Sequence, residues 1–410
     1  MQQDKALEIM MRGDNIMLTG PAGAGKTYLI DKFVKKARRH GRRIAITATT
    51  GIAASHIGGS TIHSWSGIGI GTELHPDFVY TISEGRKKAI KKVDVLIIDE
   101  ISMMNDYVLD MVNVAMKVIR ESDEPFGGLQ VILVGDFFQL PPINKVGESK
   151  FVTESDAWEE LNLSVCYLEE QHRADDLRLQ EILNAMRDGG LKQRHLRWLK
   201  DRWISPDTDQ ITKIYTLNID VEAENNKRLG ELPGDSHYFL RTSRGSSRAQ
   251  IDSLQKNVLA PEVLALKSGA LVMAVKNDPG GDFANGSVGR IQRFTDEGLP
   301  VVRFDSGRTL TVNPQEWEMR KNDRFVASIT QIPLRLAYAI TVHKSQGMTL
   351  DAAEVDLSKA FVPGMGYVAL SRVKSLETLY IKGLNQRSLM VSDKARQINK
   401  QLLERSRSHE

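Results

Sequence analysis

One segment near the start of the chain constrains its fold more than any other: Gly20-Pro21-Ala22-Gly23-Ala24-Gly25-Lys26-Thr27. It follows a short apolar run at 16–19 and leads into a helical pattern, and strand–loop–helix is the context of a phosphate-binding loop. The glycines let the backbone approach phosphate oxygens closely, and the amides at the start of the helix face the anion. Lys26 is then expected to reach the β- and γ-phosphates of a nucleotide, and Thr27 to offer its hydroxyl to Mg²⁺.

The first half of the chain alternates short apolar runs with helical patterns. Strands are predicted at 16–19, 44–49, 95–99, 131–135 and 165–168, with helices that begin near Gly25, Gly51 and Ser102. This alternation is typical of parallel strands joined by crossover helices, an α/β layered domain. An apolar stripe with helical spacing is expected to pack in the core, and it consists of Met104, Tyr107, Val108, Met111, Val114, Ala115 and Val118.

The second half of the chain changes character twice. Residues 169–260 are helical and more charged, whereas residues 265–320 hold short alternating runs broken by turn signals such as Asn285-Gly286. Asn-Gly between strand-like runs predicts a hairpin, so we expect a small all-β module here. Buried-strand patterns return at 334–341, 354–357 and 378–381. The simplest topology is two α/β domains, the second of them interrupted by a β-barrel.

Composition excludes several classes of protein. The net charge of the 410 residues is only +3, so any nucleic-acid track must be local, and the basic residues over 32–43 are better explained as a solvated helix face. Cys166 is the only cysteine, which excludes a disulfide framework or a cysteine-based zinc site within one chain. The first residues lack the apolar stretch of a signal peptide, and no apolar run reaches the length of a membrane span. We expect a cytoplasmic protein, associated with the nucleoid if it is bacterial.

Two further strand ends carry polar residues suited to nucleotide hydrolysis. Val95-Leu-Ile-Ile precedes Asp99 and Glu100, which are expected to join the Mg²⁺ shell and to activate the attacking water, respectively. The run at 131–135 leads to Gln139, whose amide is suited to sense the γ-phosphate. Asp136, before it, is either a polar residue of the same rim or a loop cap. The paired Asp-Glu favours hydrolysis over phosphoryl transfer by a kinase.

Two arginines in the second half could act on the same phosphate. Arg173 follows the run at 165–168, and Arg372 lies in a helical segment, Tyr367-Val-Ala-Leu-Ser371-Arg372. An arginine from a second domain can neutralise charge on the γ-phosphate in the transition state. From the residues alone, a surface ion pair is the better explanation of either arginine.

These motifs, taken in order, form a recognisable series. It comprises the phosphate loop, Ile97-Ile-Asp-Glu-Ile-Ser-Met-Met, the segment from Pro125 to Pro142, Ala339-Ile-Thr-Val-His343-Lys344-Ser345-Gln346-Gly347, and the segment ending at Arg372. The series resembles that of the PIF (petite integration frequency) helicases. This family belongs to the 5′-to-3′ branch of helicase superfamily 1. The resemblance runs from about residue 3 to residue 382.

The resemblance implies an α/β fold with two RecA-like motor domains and ATP with Mg²⁺ in the cleft between them. It implies an adenine contact for Gln3, arginine fingers at Arg173 and Arg372, and nucleotide coupling for Gln346 and Gly347. The expected boundaries are 1–165 for the first motor domain with a wedge subdomain at about 56–81, 166–264 and 326–410 for the second, and 265–325 for an SH3-like β insert. Two departures occur: Gln-His-Arg-Ala surrounds Arg173 where the family has Phe-Arg-Gln, and Met365 stands where the family has Gln.

The resemblance also points to single-stranded DNA as the track. The segments around residues 47–54 and 59–64 are similar to the strand-contacting segment of the family. Hydroxyl, amide and aromatic groups suit sequence-tolerant contacts, and the candidates are Thr49, Thr50, His63, Ser64, Trp65, His343, Lys344 and Ser345. Each alone could equally be a core or cap residue.

The expected function is an ATP-dependent 5′-to-3′ DNA helicase that acts as a monomer on single-stranded DNA and duplex junctions. Two alternatives share the ATPase motifs. One is a single-strand translocase that remodels nucleoprotein and unwinds poorly, and the other is a non-catalytic scaffold that uses nucleotide as a switch.

Overall fold

The computed structural model describes residues 1–69, 71–75, 77–142, 150–169, 176–205, 211–245, 247–255, 258–283, 285–321 and 324–408. The chain divides into two compact units, one formed by residues 1–206 with 345–410 and the other by residues 207–344. The chain therefore leaves the first unit once and returns to it. The domain boundaries at 165, 264 and 325 stay a prediction.

Helices and strands alternate through most of the described chain. The helices are α1 Gln3–Arg12, α2 Lys26–Arg39, α3 Gly51–His56, α4 Ile62–Ser66, α5 Phe78–Thr81, α6 Glu84–Lys91, α7 Asp106–Arg120, α8 Asp156–Glu160, α9 Leu177–Asp188, α10 Gln193–Lys200, α11 Asn218–Glu231, α12 Arg248–Gln255, α13 Val342–Ser345, α14 Met365–Leu370 and α15 Asp393–Arg407.

The strands are β1 Ile16–Thr19, β2 Ile44–Ala48, β3 Ser60–Thr61, β4 Val95–Asp99, β5 Gln130–Val134, β6 Ser164–Tyr167, β7 Thr212–Tyr215, β8 His237–Leu240, β9 Thr242–Gly245, β10 Val263–Leu266, β11 Leu271–Ala274, β12 Val288–Phe294, β13 Pro300–Phe304, β14 Thr309–Thr311, β15 Gln315–Lys321, β16 Arg324–Gln331, β17 Leu334–Leu336, β18 Ala339–Thr341, β19 Ala353–Leu357 and β20 Leu379–Leu384.

A parallel sheet organises the first unit. Its six strands run in the order β3-β2-β4-β5-β1-β6, and each pair is parallel. Every residue of β1 and of β5 is buried, as expected for central strands covered on both faces. The carboxyl ends of parallel strands meet at one edge of a sheet, so β1, β4 and β5 deliver their following loops to one place. The predicted α/β class and the five predicted strands of this region are confirmed.

The apolar stripe on α7 is only partly in the core. Met104, Val108, Met111 and Ala115 are buried, as predicted. Val114 and Val118 are instead 46% and 45% exposed, so their assignment to the core was wrong. They lie four residues apart on the helix, and the apolar pattern is wider than the face that actually packs. The helix also begins at Asp106, after a 3₁₀ turn at Ile101–Met103, rather than near Ser102.

The second unit is mainly antiparallel. A five-stranded sheet has the order β14-β13-β12-β11-β17, and a three-stranded sheet has the order β15-β16-β9. β11 and β12 pair as an antiparallel hairpin around the turn that contains Asn285 and Gly286, as predicted. Val272, Ile291 and Val302 lie in the apolar core of the five-stranded sheet. The predicted β character after residue 265 is confirmed, but the prediction that 169–260 is helical was only partly right, because β7, β8 and β9 lie within that range. Each of these strands has four residues, too few to show a clear period-2 pattern among the charged helical segments.

Cys166 on β6 lies in the core of the first unit and its side chain is inaccessible. Burial raises the pKa of the Cys166 thiol to about 12. At pH 8 very little thiolate is present, so Ellman's reagent should modify the native protein roughly 10³-fold more slowly than the chain unfolded in guanidinium chloride. Similar rates in the two states would contradict this burial.

No helix within the described residues is long and apolar enough to cross a membrane.

Candidate nucleotide site

The phosphate loop connects β1 to α2 and has a backbone that only glycine adopts readily. Gly20 has φ 148°, and a Cβ atom added there would lie 2.5 Å from the carbonyl oxygen of Leu168. Gly25 has φ 80° and immediately precedes the first residue of α2. The loop therefore ends on the amino terminus of a 14-residue helix, where free backbone amides favour an anion. This is the geometry predicted from the sequence.

Lys26 folds back over this loop. Its Nζ atom donates hydrogen bonds to the carbonyl oxygens of Gly20 at 2.8 Å and Pro21 at 3.0 Å. Burial lowers the pKa of the ammonium group, and the nearby carboxylates of Asp136, Glu100 and Asp99 act in the opposite direction. The lysine thus provides a partly desolvated positive charge between the loop and the acidic residues.

Asp99 and Glu100 form a tightly coupled acidic pair at the end of β4. Burial, followed by the charge of Glu100, raises the pKa of Asp99 to about 7. Burial also raises the pKa of Glu100, whereas a hydrogen bond from Gln346 lowers it. The Gln346 Nε2 atom donates to Oε2 of Glu100 at 2.8 Å. Glu100 has φ 55° and its carbonyl oxygen accepts a hydrogen bond from the Thr49 hydroxyl at 3.0 Å.

Gln139 and Gln346 each keep a buried amide oxygen, Oε1, that finds no hydrogen-bond partner among the described residues. A buried polar atom without a hydrogen bond lowers the free energy of unfolding by roughly 1–3 kcal/mol. A ligand that donates a hydrogen bond to either amide oxygen would therefore be favoured. A nucleotide contact was predicted for both glutamines, for Gln139 from its position after a strand and for Gln346 from the family resemblance, and it stays a prediction. The structure adds the bond that fixes Gln346 to Glu100.

These groups fit a nucleotide with Mg²⁺. The phosphate loop offers amides and the Lys26 ammonium to an anion, and the Thr27 hydroxyl lies exposed at the start of α2. Two adjacent partly buried carboxylates with one nearby lysine leave negative charge that a divalent cation would offset. Gln3, the predicted adenine contact, lies beside the loop and donates from Nε2 to the carbonyl of Ala24 at 3.4 Å. Gly347 follows Gln346 with φ 79°.

Arg372 is 1% exposed, so the alternative of a surface ion pair is excluded for it. Its guanidinium donates to the carbonyl oxygens of Ser345 at 3.2 Å, Met348 at 3.1 Å and Val368 at 2.8 Å. It therefore fixes the backbone on both sides of Gln346. Arg173 lies outside the described residues.

A buried polar network beside the phosphate loop was missed from the sequence. Arg187 of α9 forms an ion pair with Asp136, with Nη1 at 2.8 and 2.9 Å from the two carboxylate oxygens. The Tyr367 hydroxyl accepts from the same Nη1 at 2.9 Å and donates to Oδ2 of Asp136 at 2.9 Å. Asp136 also caps its own loop by accepting from the Phe138 amide at 3.2 Å. Both interpretations of Asp136 were thus incomplete, because its main partner is 51 residues away.

The first cluster of predicted DNA contacts lies after β2 and on α4. Thr49 bonds to Glu100, and the Thr50 hydroxyl accepts from the Ala53 amide at 3.2 Å as a cap of α3. Ser64 is exposed on α4, and Trp65 is half-buried. Burial lowers the pKa of His63, so its imidazole is neutral near pH 7. These five residues lie within a short stretch of chain at one end of the sheet.

The second cluster lies on α13. Burial lowers the pKa of His343, and it also lowers the pKa of Lys344 to about 8, with Arg335 adding to the effect. Ser345 is completely buried, and its carbonyl accepts from Arg372. The structure therefore places Ser345 in the interior rather than at a surface where a strand would contact it.

Comparison with known proteins agrees with the site. The family model described as PIF1-like helicase matches residues 3–195. The chain is 39% identical to the ATP-dependent DNA helicase Pif1 of a Psychrobacter species, over 97% of this chain and 70% of the relative. It is 35% identical to human ATP-dependent DNA helicase PIF1, over 93% of this chain and 60% of that longer protein.

The same family appears among solved structures. The structure of Pif1 helicase from Candida albicans has a TM-score of 0.89 and 32% identity, with 98% of each chain covered. The Bacteroides Pif1 helicase in complex with ADP-AlF3 and single-stranded DNA has a TM-score of 0.79 and 29% identity, with 100% of this chain and 99% of that chain covered. With its phosphate loop, acidic pair and coupled glutamine, this chain belongs to the PIF1-like helicases.

Proposed function

We propose that this protein is an ATP-dependent DNA helicase that translocates 5′ to 3′ on single-stranded DNA. One observation carries the ATPase part: the phosphate loop, the Asp99–Glu100 pair and Gln346 form one site, although the sequence separates them widely. The Bacteroides helicase that this chain resembles was solved in complex with ADP-AlF3 and single-stranded DNA. This supports the proposal that the present chain binds a nucleotide and single-stranded DNA.

Each residue of the site has a distinct role in hydrolysis. Mg-ATP supplies the phosphoanhydride bond whose cleavage drives movement. Lys26 and the loop amides hold the phosphates, and Thr27 and Asp99 hold the metal ion. Glu100 accepts the proton of the attacking water, and its raised pKa places it closer to the operating pH. Gln346 keeps the Glu100 carboxylate oriented.

Arg372 and Arg173 are proposed as the arginines that stabilise charge at the γ-phosphate. Arg372 belongs to the same unit as the phosphate loop. It donates hydrogen bonds to the carbonyls of Ser345 and Met348. Small movements of the 345–348 segment would therefore move Arg372 and Gln346 together.

Thr49, Thr50, His63, Ser64, Trp65, His343 and Lys344 are proposed to contact the single strand. The link from Thr49 to the Glu100 carbonyl supports this, because it joins the proposed strand-contacting segment directly to the proposed catalytic base. A change at Glu100 on hydrolysis would then reach the DNA through one hydrogen bond.

The finer architecture is also a proposal. Residues around 56–81 form the wedge that separates the strands, and the antiparallel module at 265–325 is the SH3-like insert of the second RecA-like motor domain. The antiparallel pairing of β11, β12, β13 and β14 supports the insert. The motor works as a monomer, which sedimentation of the protein on a short single strand would test.

Unwinding of two partial duplexes tests the function. They are identical except that one carries a 5′ and the other a 3′ single-stranded tail, and each is supplied with ATP and Mg²⁺. We expect unwinding of the 5′-tailed duplex and weaker DNA binding at higher salt, because phosphate contacts release counterions. Unwinding of the 3′-tailed duplex alone would refute the polarity and leave the motor assignment intact.

Parallel measurements separate the alternatives. ATP turnover that rises with single-stranded DNA, without strand displacement, would indicate a translocase. Absence of turnover in the presence of DNA would indicate a nucleotide-switched scaffold.

Glu100→Gln should bind ATP and DNA but hydrolyse ATP about 10²–10⁴-fold more slowly, because the amide keeps the shape but cannot accept the proton. Its Oε1 can still accept the bond that Gln346 now donates to the carboxylate. Glu84→Gln, an exposed glutamate on α6, serves as the matched control and should leave turnover unchanged. Normal hydrolysis by the Glu100→Gln protein would remove Glu100 from the mechanism.

A further inference from the structure

The hydroxyl of Tyr367 connects the phosphate loop to the carboxyl-terminal part of the first unit. It accepts a hydrogen bond from the backbone N–H of Ala22 at 3.0 Å and another from Arg187 at 2.9 Å. It donates its own proton to Asp136 at 2.9 Å. Both acceptor positions and the single proton of the hydroxyl are thus in use.

The remaining contacts hold this hydroxyl in one place. Tyr367 is fully buried, and Arg187 and Asp136 are 5% and 1% exposed. The second nitrogen of Arg187, Nη2, donates to the Tyr167 hydroxyl at 2.8 Å, and the guanidinium lies 4.3 Å from the centre of the Phe138 ring. A buried ion pair whose terminal guanidinium nitrogens both make several hydrogen bonds is rigid and tolerates little displacement.

The bond to Ala22 is placed where it sets the shape of the loop. The Ala24 amide donates to the Pro21 carbonyl at 3.1 Å, and Gly23 has φ 86°, which together define a type II turn over residues 21–24. Ala22 is the first central residue of that turn. Because the Ala22 N–H is bonded to the buried Tyr367 hydroxyl, the peptide plane at the start of the turn is held in one orientation.

We propose that Tyr367 is a positioning residue that holds the phosphate loop in its nucleotide-binding shape, with the Asp136–Arg187 pair fixing the hydroxyl. Tyr367 precedes Arg372 by five residues on the same short segment. The side chain that contacts the phosphate loop and the arginine proposed to act on the phosphates therefore belong to one short segment of the chain. The inference rests on the proposed function only in assuming that the loop binds nucleotide.

Two tyrosines allow a matched test. Tyr167 and Tyr367 are both buried and both accept from Arg187, but only Tyr367 reaches the phosphate loop. Tyr167→Phe should lower the melting temperature and leave the affinity for a fluorescent ADP analogue unchanged. Tyr367→Phe should lower the melting temperature and also raise the Kd for ADP about tenfold, as the loss of one well-placed hydrogen bond does.

Ala22→Pro removes the same bond from the other side. Proline is favoured at the first central position of a type II turn, but its Cδ takes the place of the amide hydrogen and faces the buried Tyr367 hydroxyl, so the variant loses the bond and also crowds the hydroxyl. Its Kd for ADP should rise by at least the same factor. The double variant Ala22→Pro/Tyr367→Phe should bind ADP no more weakly than Ala22→Pro alone, because removal of the hydroxyl leaves no bond to lose and no oxygen against the proline ring.

The outcomes distinguish a failure of the proposed nucleotide site from a failure of the positioning role of Tyr367. If the unmodified protein does not bind ADP, the proposed nucleotide site itself fails. If it binds ADP and the two tyrosine variants lose affinity equally, or neither loses any, the network is merely structural and the positioning role is overturned. Should Tyr367→Phe fail to fold, unchanged ADP affinity in Ala22→Pro would overturn the role by itself.

Discussion

Lys26→Ala is expected to lose ATP turnover almost completely, by about 10³-fold or more, with the fold intact. The reason is local: this ammonium lies over the loop, beside the Gly20 and Pro21 carbonyls, and balances the acidic pair. Alanine leaves the phosphates without the lysine of the loop and leaves Asp99 and Glu100 without their nearest cation. Steady-state hydrolysis with saturating single-stranded DNA measures the loss, and circular dichroism verifies the fold.

Lys32→Ala is the control for this variant. Lys32 lies on the same helix, is exposed and pairs with Asp4 at 2.7 Å on the surface. Its removal changes the net charge by the same amount without touching the loop, so turnover should remain at the level of the unmodified protein. Equal loss in both variants would mean that general charge, rather than the position of Lys26, matters.

Arg372→Ala should lower kcat by about 10³–10⁵ while ATP affinity falls far less, the pattern of a group that acts mainly in the transition state. The hydrogen bonds from Arg372 to the Ser345 and Met348 carbonyls are a second reason to expect a lower kcat. Their loss would free the segment that carries Gln346. Single-turnover hydrolysis and an ATP titration separate the two constants. A raised KM with unchanged kcat would make Arg372 a ground-state contact and leave Arg173 as the next candidate.

Arg202→Ala controls for the structural part of that effect. Arg202 also donates to backbone carbonyls, those of Leu379 at 2.8 Å and Glu377 at 2.6 Å, but the phosphate loop is not among its partners. We expect lower thermal stability with kcat preserved. Comparable losses of kcat in the two arginine variants would show that any loosened backbone in this unit impairs hydrolysis.

The parts of the site that lie at strand ends were predictable from the sequence. Each of three residues lies at or after the end of a short buried strand: Lys26, Asp99 and Gln139. Parallel strands bring their carboxyl ends together, and this does not depend on side chains elsewhere in the chain. Local pattern therefore predicts that three residues far apart in the chain lie at one edge of the sheet, and the electrostatic interaction of Lys26 with Asp99 agrees for two of them. The same holds for the hairpin at Asn285 and Gly286, where two residues determine the turn.

The network of Arg187, Asp136 and Tyr367 was not predictable in this way. Its members lie on a helix, in a loop and on a second helix, up to 231 residues apart. No periodicity links them, and Arg187 looks like any charged residue at the end of an amphipathic helix. Likewise, the spacing of Val114 and Val118 fits a buried stripe, but both residues are exposed. Which face of α7 is buried depends on neighbouring elements that the local pattern does not reveal.

The discontinuous first unit has a consequence for synthesis of the protein. Its nucleotide site takes Lys26, Asp99 and Glu100 from the amino-terminal segment, but Gln346 and Tyr367 from the segment that follows the whole of the second unit. As the chain emerges from the ribosome, the parallel sheet can form early, whereas the site forms only after residues 345–372 have been made. Ribosome-stalled chains that end before residue 345 should hold a folded sheet and still bind ADP poorly. ATP hydrolysis is thus delayed until residues 345–372 have been made.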